Sequence, residues 1–194
     1  MFHTPVHVRD AGPDDVDDLM RIWAARGPER VLAPPVRSDA LSSVARIAAD
    51  PDQRVLVAVV DDHVAGAVHL VRAPVSPISG DSAVYVMHLQ VADEFRRHGA
   101  GRSLMEAAVT WAEEKDSSHV VATASAGSRD ANRFMARLGL GPTAMVRAAS
   151  VASMRAKLPL EPPAAARVGS RAHRNVGQVI VQRRSLRRAR DRTS

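Results

Sequence analysis

Val6 to Arg9 alternate apolar and polar residues, which predicts a short half-buried strand. Pro13-Asp14-Asp15 then opens a helical pattern with Val16, Leu19, Met20 and Trp23 at i, i+3, i+4 and i+7. Its acidic first turn suits the positive end of a helix dipole. Gly27-Pro28 and Ala33-Pro34-Pro35 break the chain, and Ser38-Asp39 is placed to cap a second helix carrying Leu41, Val44, Ala45 and Ala48 on one face. Arg54–Val60 and Val64–Val71 are β-branched runs joined by Asp61-Asp62-His63, a connection of hairpin length. Residues 72–82 hold Pro74, Pro77 and Gly80 and read as a loop, which leads into an apolar, buried-strand run from Ala83 to Val91.

A helix beginning near Gly101 sets Leu104, Ala108, Trp111 and Ala112 on one stripe, with Glu106, Glu113, Glu114 and Lys115 off it. His119–Ala124 predicts a strand. Ser128 can cap a further helix whose inner face holds Ala131, Phe134, Met135 and Leu138, and Gly139 suits a left-handed stop. Thr143–Ala149 and Val151–Leu158 are two more strand candidates. The order β-α-α-β-β-β-α-β-α-β-β describes a mixed α/β or α+β domain over residues 1–158, with a linker and tail over 159–194. That last stretch opens on Pro159, Pro162 and Pro163 and turns to Ala, Gly and Arg.

Composition narrows the chemistry. Of 194 residues 45% are hydrophobic and 25% charged, as in a globular domain, and there is no Cys. Disulfide scaffolds, thiol nucleophiles and iron–sulfur ligation are thereby excluded, and no metal site is expected. No window approaches the roughly 18 consecutive apolar residues of a membrane span, and Met1–Asp10 lacks a signal pattern. The expectation is a cytoplasmic protein. Its formal net charge of +6 belongs to the tail, because residues 165–194 carry nine Arg against Asp191 alone. Such a tail can bind nucleic acid or another polyanion. It has no interleaved aromatics or reading motif, so a solvated or self-docking tail is the competing reading.

The densest chemistry lies in Arg96-Arg97-His98-Gly99-Ala100-Gly101-Arg102-Ser103, between a predicted strand and a predicted helix. Glycines admit positive φ and close backbone approach, the first N–H groups of a helix attract anions, and arginines add charge-assisted donors to a pyrophosphate. A Walker A loop would need a Gly-Lys-Ser/Thr ending, and a dinucleotide fingerprint a third glycine where Leu104 stands.

What remains, Arg96-x-x-Gly99-x-Gly101, resembles the acyl-CoA loop of the GNAT-type N-acetyltransferase superfamily, Gln/Arg-x-x-Gly-x-Gly/Ala. Leu89-Gln90-Val91 looks like the end of that family's fourth strand, and Ala131-x-x-Phe134-Met135-x-x-Leu138-Gly139-Leu140 is similar to the ending of its fourth helix. The resemblance spans about residues 6 to 158 and implies a central mixed sheet with splayed strands 4 and 5, flanked by about four helices. It also implies transfer of an acetyl group from acetyl-CoA to a primary amine that attacks the thioester directly. The acceptor would be a small molecule or a protein, and homodimers are common in the family. By the same resemblance the cofactor residues are Leu89, Gln90, Val91, Arg96, Arg97, His98, Gly99, Ala100, Gly101, Arg102, Ser103 and Ser128.

The chain departs from the family at catalytic positions. A Tyr often protonates the departing thiolate, and Met135 stands there; an Asn is common where Ser128 stands. Tyr85 is then a hydrogen-bonding or relay candidate, and His88 a base whose titration range suits the task. Strand alternation, however, puts His88 on the face opposite Tyr85 and Leu89 unless a bulge intervenes. His69 and His119 read as satisfied strand residues, and Arg30, Arg37 and Arg72 fall in segments resembling acceptor loops. These departures keep open an alternative, a catalytically silent acyl-CoA-binding sensor or scaffold.

Overall fold

Five strands lie in sequence order across one sheet in a computed structural model that describes residues 5–24, 36–125 and 127–158. They are β1 (His7–Asp10), β2 (Gln53–Val60), β3 (His63–Pro74), β4 (Ser82–Val91) and β5 (His119–Ala122). The first four pair antiparallel, and β4 pairs with β5 in parallel. The β2–β3 turn needs only Asp61 and Asp62, at φ 48° and 60°, a left-handed pair that aspartate tolerates better than most residues. Residues 72–74, expected as loop, continue β3.

The helices α1 (Val16–Ala24) and α2 (Arg37–Ala48) cover one face of the sheet. Val16, Leu19, Ile22, Val44 and Ile47 pack there against Val55, Val57, Val64 and Ala67. Val44 and Ile47 form the buried edge of α2 while Ala45 and Ala48 are exposed, since the larger side chains remove more apolar surface from water. The N-cap of α2 is Val36 rather than the expected Ser38, and no side chain bonds there. On the other face lie α3 (Ala100–Glu114) and α4 (Arg129–Arg137). Leu104, Met105, Ala108 and Trp111 meet Leu56, Ala58, Leu70, Val84 and Val86, with Phe134 and Leu140 packed alongside.

The chain divides into two compact units, Met1–Pro142 and Thr143–Ser194. The described part of the second holds α5 (Val151–Lys157), capped by Ser150, whose hydroxyl accepts from the Ser153 N–H at 3.1 Å. This overturns both late strand expectations. Val151, Met154 and Leu158 in fact fall at i, i+3 and i+7, a helical period, and Ala, Met, Arg and Lys are strong helix formers. Thr143–Ala149 joins no ladder among the described residues. The linker and arginine tail, 159–194, lie outside the described residues.

Candidate active site

The opening in the sheet comes from a mismatch in strand length. β4 pairs with β5 only over Ala83–Val86, and the last bond across is Thr123 N–H to the Val86 carbonyl at 3.1 Å. From Met87 to Val91 β4 runs on without β5, so Leu89, Gln90 and Val91 line the parting of the two strands.

Chain direction then reverses through a 3-10 turn, Asp93–Phe95, into the cradle. Arg97 and Gly99 both adopt left-handed backbone, at φ 67° and 90°, and Gly99 is the N-cap of α3. A cap without a side chain leaves the N–H groups of Ala100, Gly101 and Arg102 aimed out of the helix, with no intrahelical acceptor. No acidic residue stands in that first turn, whereas Asp17 and Asp18 crowd the first turn of α1. The positive end of the α3 dipole is therefore uncompensated by carboxylates and suits an anion. Arg96 bonds Asp93 and Arg102 bonds Glu106, both at 2.9 Å and both at the surface, so such weak pairs can open toward a phosphate. Gly101 lies against the end of β4 and α4: a Cβ there would sit 3.5 Å from Val91 and 3.6 Å from Phe134, ordinary contact.

Directly before the cradle, β4 carries a bulge. Ala67 pairs with Gln90 and His69 with Met87, so Val68 alone opposes His88 and Leu89. His88 has φ 53°. The inserted residue flips the alternation: Val84 and Val86 pack on the α3 face before it, and Leu89 and Val91 do so after it. His88 itself turns to the α1/α2 face. Its ring stands edge-on to Trp23 at 6.2 Å and stacks on His69 at 6.5 Å with the planes 16° apart. The Trp23 indole N–H donates to the His88 carbonyl at 2.8 Å, tying the end of α1 to the bulge.

Several other candidates have partners within the fold. Tyr85 shares the α1/α2 side of β4, and its hydroxyl donates to the Pro74 carbonyl at 3.3 Å, at the strand end away from the cradle. The Ser128 hydroxyl caps α4, accepting from the Ala131 N–H at 3.3 Å. Asn132, one turn on, escaped sequence reading; its amide donates to the carbonyls of Ser125 at 3.0 Å and Ser128 at 2.7 Å and fixes the entry to α4. Met135 is buried. Arg37 bonds Asp17 at 2.9 Å and Arg72 bonds Asp52 at 3.1 Å, while Arg30 lies outside the described residues. His69 is half-buried; burial first, then the His88 and Arg46 charges, push its pKa below the ordinary imidazole value. Among the described residues no group of three or more His, Asp or Glu could hold a metal ion, and no helix is long and apolar enough to cross a membrane.

A mixed sheet that parts beyond its fourth strand, with a glycine-capped helix rising from the parting, defines the architecture of a GNAT-type acetyltransferase. The chain belongs to the acetyltransferase (GNAT) family, whose model matches residues 16–140. Among solved structures it is similar to a transcriptional regulator from Bacillus halodurans C-125, at 19% identity and TM-score 0.67 over 75% of this chain and 99% of that one. Glucosamine-6-phosphate N-acetyltransferase from Arabidopsis thaliana matches at 11% identity and TM-score 0.64, over 76% of this chain and 99% of that one. An aminoglycoside N-acetyltransferase, AAC(6')-Iy, in complex with CoA matches at 14% identity and TM-score 0.62, over 76% and 95% respectively. No curated protein matches the sequence.

Proposed function

We propose that the protein is an acetyl-CoA-dependent N-acetyltransferase that moves an acetyl group to a primary amine by direct attack on the thioester. The observation that carries this reading is the left-handed Gly99 heading α3 just beyond the end of β4 that runs on without β5, with the bulged His88 imidazole on the α1/α2 face of that strand end. Family membership, the CoA complex of the aminoglycoside N-acetyltransferase and the glucosamine-6-phosphate N-acetyltransferase among its structural neighbours support the donor and acceptor classes.

The cradle fits a pyrophosphate by the chemistry of its donors. The amides of Ala100, Gly101 and Arg102 face outward, and Arg97, His98 and Ser103 stand beside them. The main chain of Leu89, Gln90 and Val91, past the last β5 bond, is available to pair with the pantetheine arm and to polarise the thioester carbonyl. His88 serves as base. A lysine-like ammonium titrates near 10.4, so the base must remove its proton before nitrogen can attack. Attack forms the N–C bond and breaks the C–S bond, and the thiolate needs a proton that Met135 has no group to give. Solvent or the proton gathered from the acceptor fills that need, with Tyr85 in a hydrogen-bonding role at the acceptor side.

Met135, buried where the family carries its proton donor, also favours a second reading in which the protein binds acyl-CoA without turning it over. A panel of primary amines separates the two: small amines, aminoglycosides and lysine peptides are each incubated with acetyl-CoA and the full chain while free thiol is measured. Amine-dependent thiol release is expected. Silence across the panel from a protein that binds acetyl-CoA leaves the sensor reading.

A further inference from the structure

His69 reads from sequence as a satisfied strand residue, and the structure shows what satisfies it. Its Nε2 lies 3.1 Å from Gln53 Oε1, and the Gln53 amide nitrogen donates to Asp50 Oδ2 at 2.7 Å. The direction of this string is fixed from its outer end. The Asp52 N–H, ahead of Gln53, holds the Asp50 carboxyl below its usual range, so Asp50 is ionised and can only accept. Gln53 must therefore turn its nitrogen to Asp50 and its oxygen to His69. An oxygen acceptor requires a hydrogen on His69 Nε2, so His69 is the Nε2–H tautomer when neutral. An amide cannot pass a proton along, so the string orients His69 and does not relay.

His69 lies against the bulged ring. Its plane runs parallel to His88 within 16°, and Trp23 meets the same imidazole at 62°. The side chain of a left-handed, bulged residue such as His88 is not oriented by strand alternation, so its neighbours orient it. We propose that His69, anchored through Gln53 to Asp50, is a positioning residue that holds the His88 imidazole in one orientation toward the acceptor. The proposal rests on His88 being the base of the reading above. The charged groups facing His69 are His88 from β4 and Arg46 from α2, with Asp50 behind Gln53. Burial, and after it any charge on His88 or Arg46, opposes a proton on His69, so it stays a neutral wall of the site.

Two readouts test the proposal and separate it from the transferase reading. Imidazole 1H–15N spectra of the full chain need no substrate: His69 should show the Nε2–H tautomer near pH 8, and Gln53→Leu should move the His88 resonances although its amide bonds to Asp50 and His69. In turnover with an accepted amine, Gln53→Leu and His69→Ala should lower kcat about tenfold or more, as misplacing a reacting group does, with KM for acetyl-CoA nearly unchanged. His69→Phe, which keeps the stacked ring, should recover part of the loss, and in a His88→Ala background neither substitution should cost anything further. Unmoved His88 resonances, or losses that simply multiply with that of His88→Ala, would overturn the positioning role. Moved resonances in a protein that acetylates no amine would show His69 orienting a ring that is not a base, and would overturn the transferase reading, and with it the role toward an acceptor.

Discussion

Single residues decide whether the cradle exists. Gly99 is left-handed at φ 90° and caps α3, so a side chain there is strained whatever the space around it. Gly99→Asp adds a carboxylate where an anion is to bind, and should abolish the acetyl-CoA-induced rise in melting temperature of a protein that remains folded. Asp15 has a structural role. It is buried, accepts two bonds of 2.7 Å from Arg9 and a third of 2.7 Å from the Gly12 N–H, and its bond to Arg9 holds its pKa below the usual range. The stability it adds is complete above the unfolded carboxylate value of about 3.9 and fades as pH falls through the lower native value. Asp15→Ala should destabilise the fold by about 1–3 kcal/mol in urea at pH 7, and the gap to wild type should narrow in acid. Gly99 was legible because a left-handed helix cap on a Gly-x-Gly loop calls for glycine. His88 was not, since its direction depends on how β4 registers with a strand twenty residues away.

Elements carry the next layer. The bulge, the parting of β4 from β5 and the start of α3 all stand on the β3–β4 ladder, where Gly66 faces Val91. A Cβ there would lie 2.8 Å from the Gln90 carbonyl oxygen, a backbone atom that can yield only if the strands separate. Gly66→Ala should cost about 1–3 kcal/mol in a denaturant midpoint, the range of overpacked sites, and should weaken acetyl-CoA binding more than a surface substitution of equal stability cost. Periodicity located α1 through α3 and β2 through β4, which bury more than one apolar residue each; β1, β5 and α4 carry the pattern too, although β1 and β5 hold no buried residue and α4 only Met135. It failed at Val151–Leu158, where a short stretch fits both periods and the Ser150 cap decides for α5.

At the scale of the whole molecule, the GNAT domain is close to neutral and the arginines are segregated in residues 165–194. If that tail engages nucleic acid, deleting it should abolish a salt-sensitive gel shift on DNA or RNA, and an unchanged shift would exclude the tail as the cause. The deletion should leave acetyl-CoA binding intact, because every cradle residue lies between Leu89 and Ser128.

Thermal unfolding of the full chain with and without acetyl-CoA tests the central claim most directly. A ligand at about 100 times its dissociation constant adds roughly 2.7 kcal/mol of stability, so the melting temperature should rise by several degrees and the rise should vanish in Gly99→Asp. A melting temperature that does not move at saturating acetyl-CoA would contradict the assignment of Arg96–Ser103 as an acyl-CoA cradle, and with it the proposed transfer chemistry.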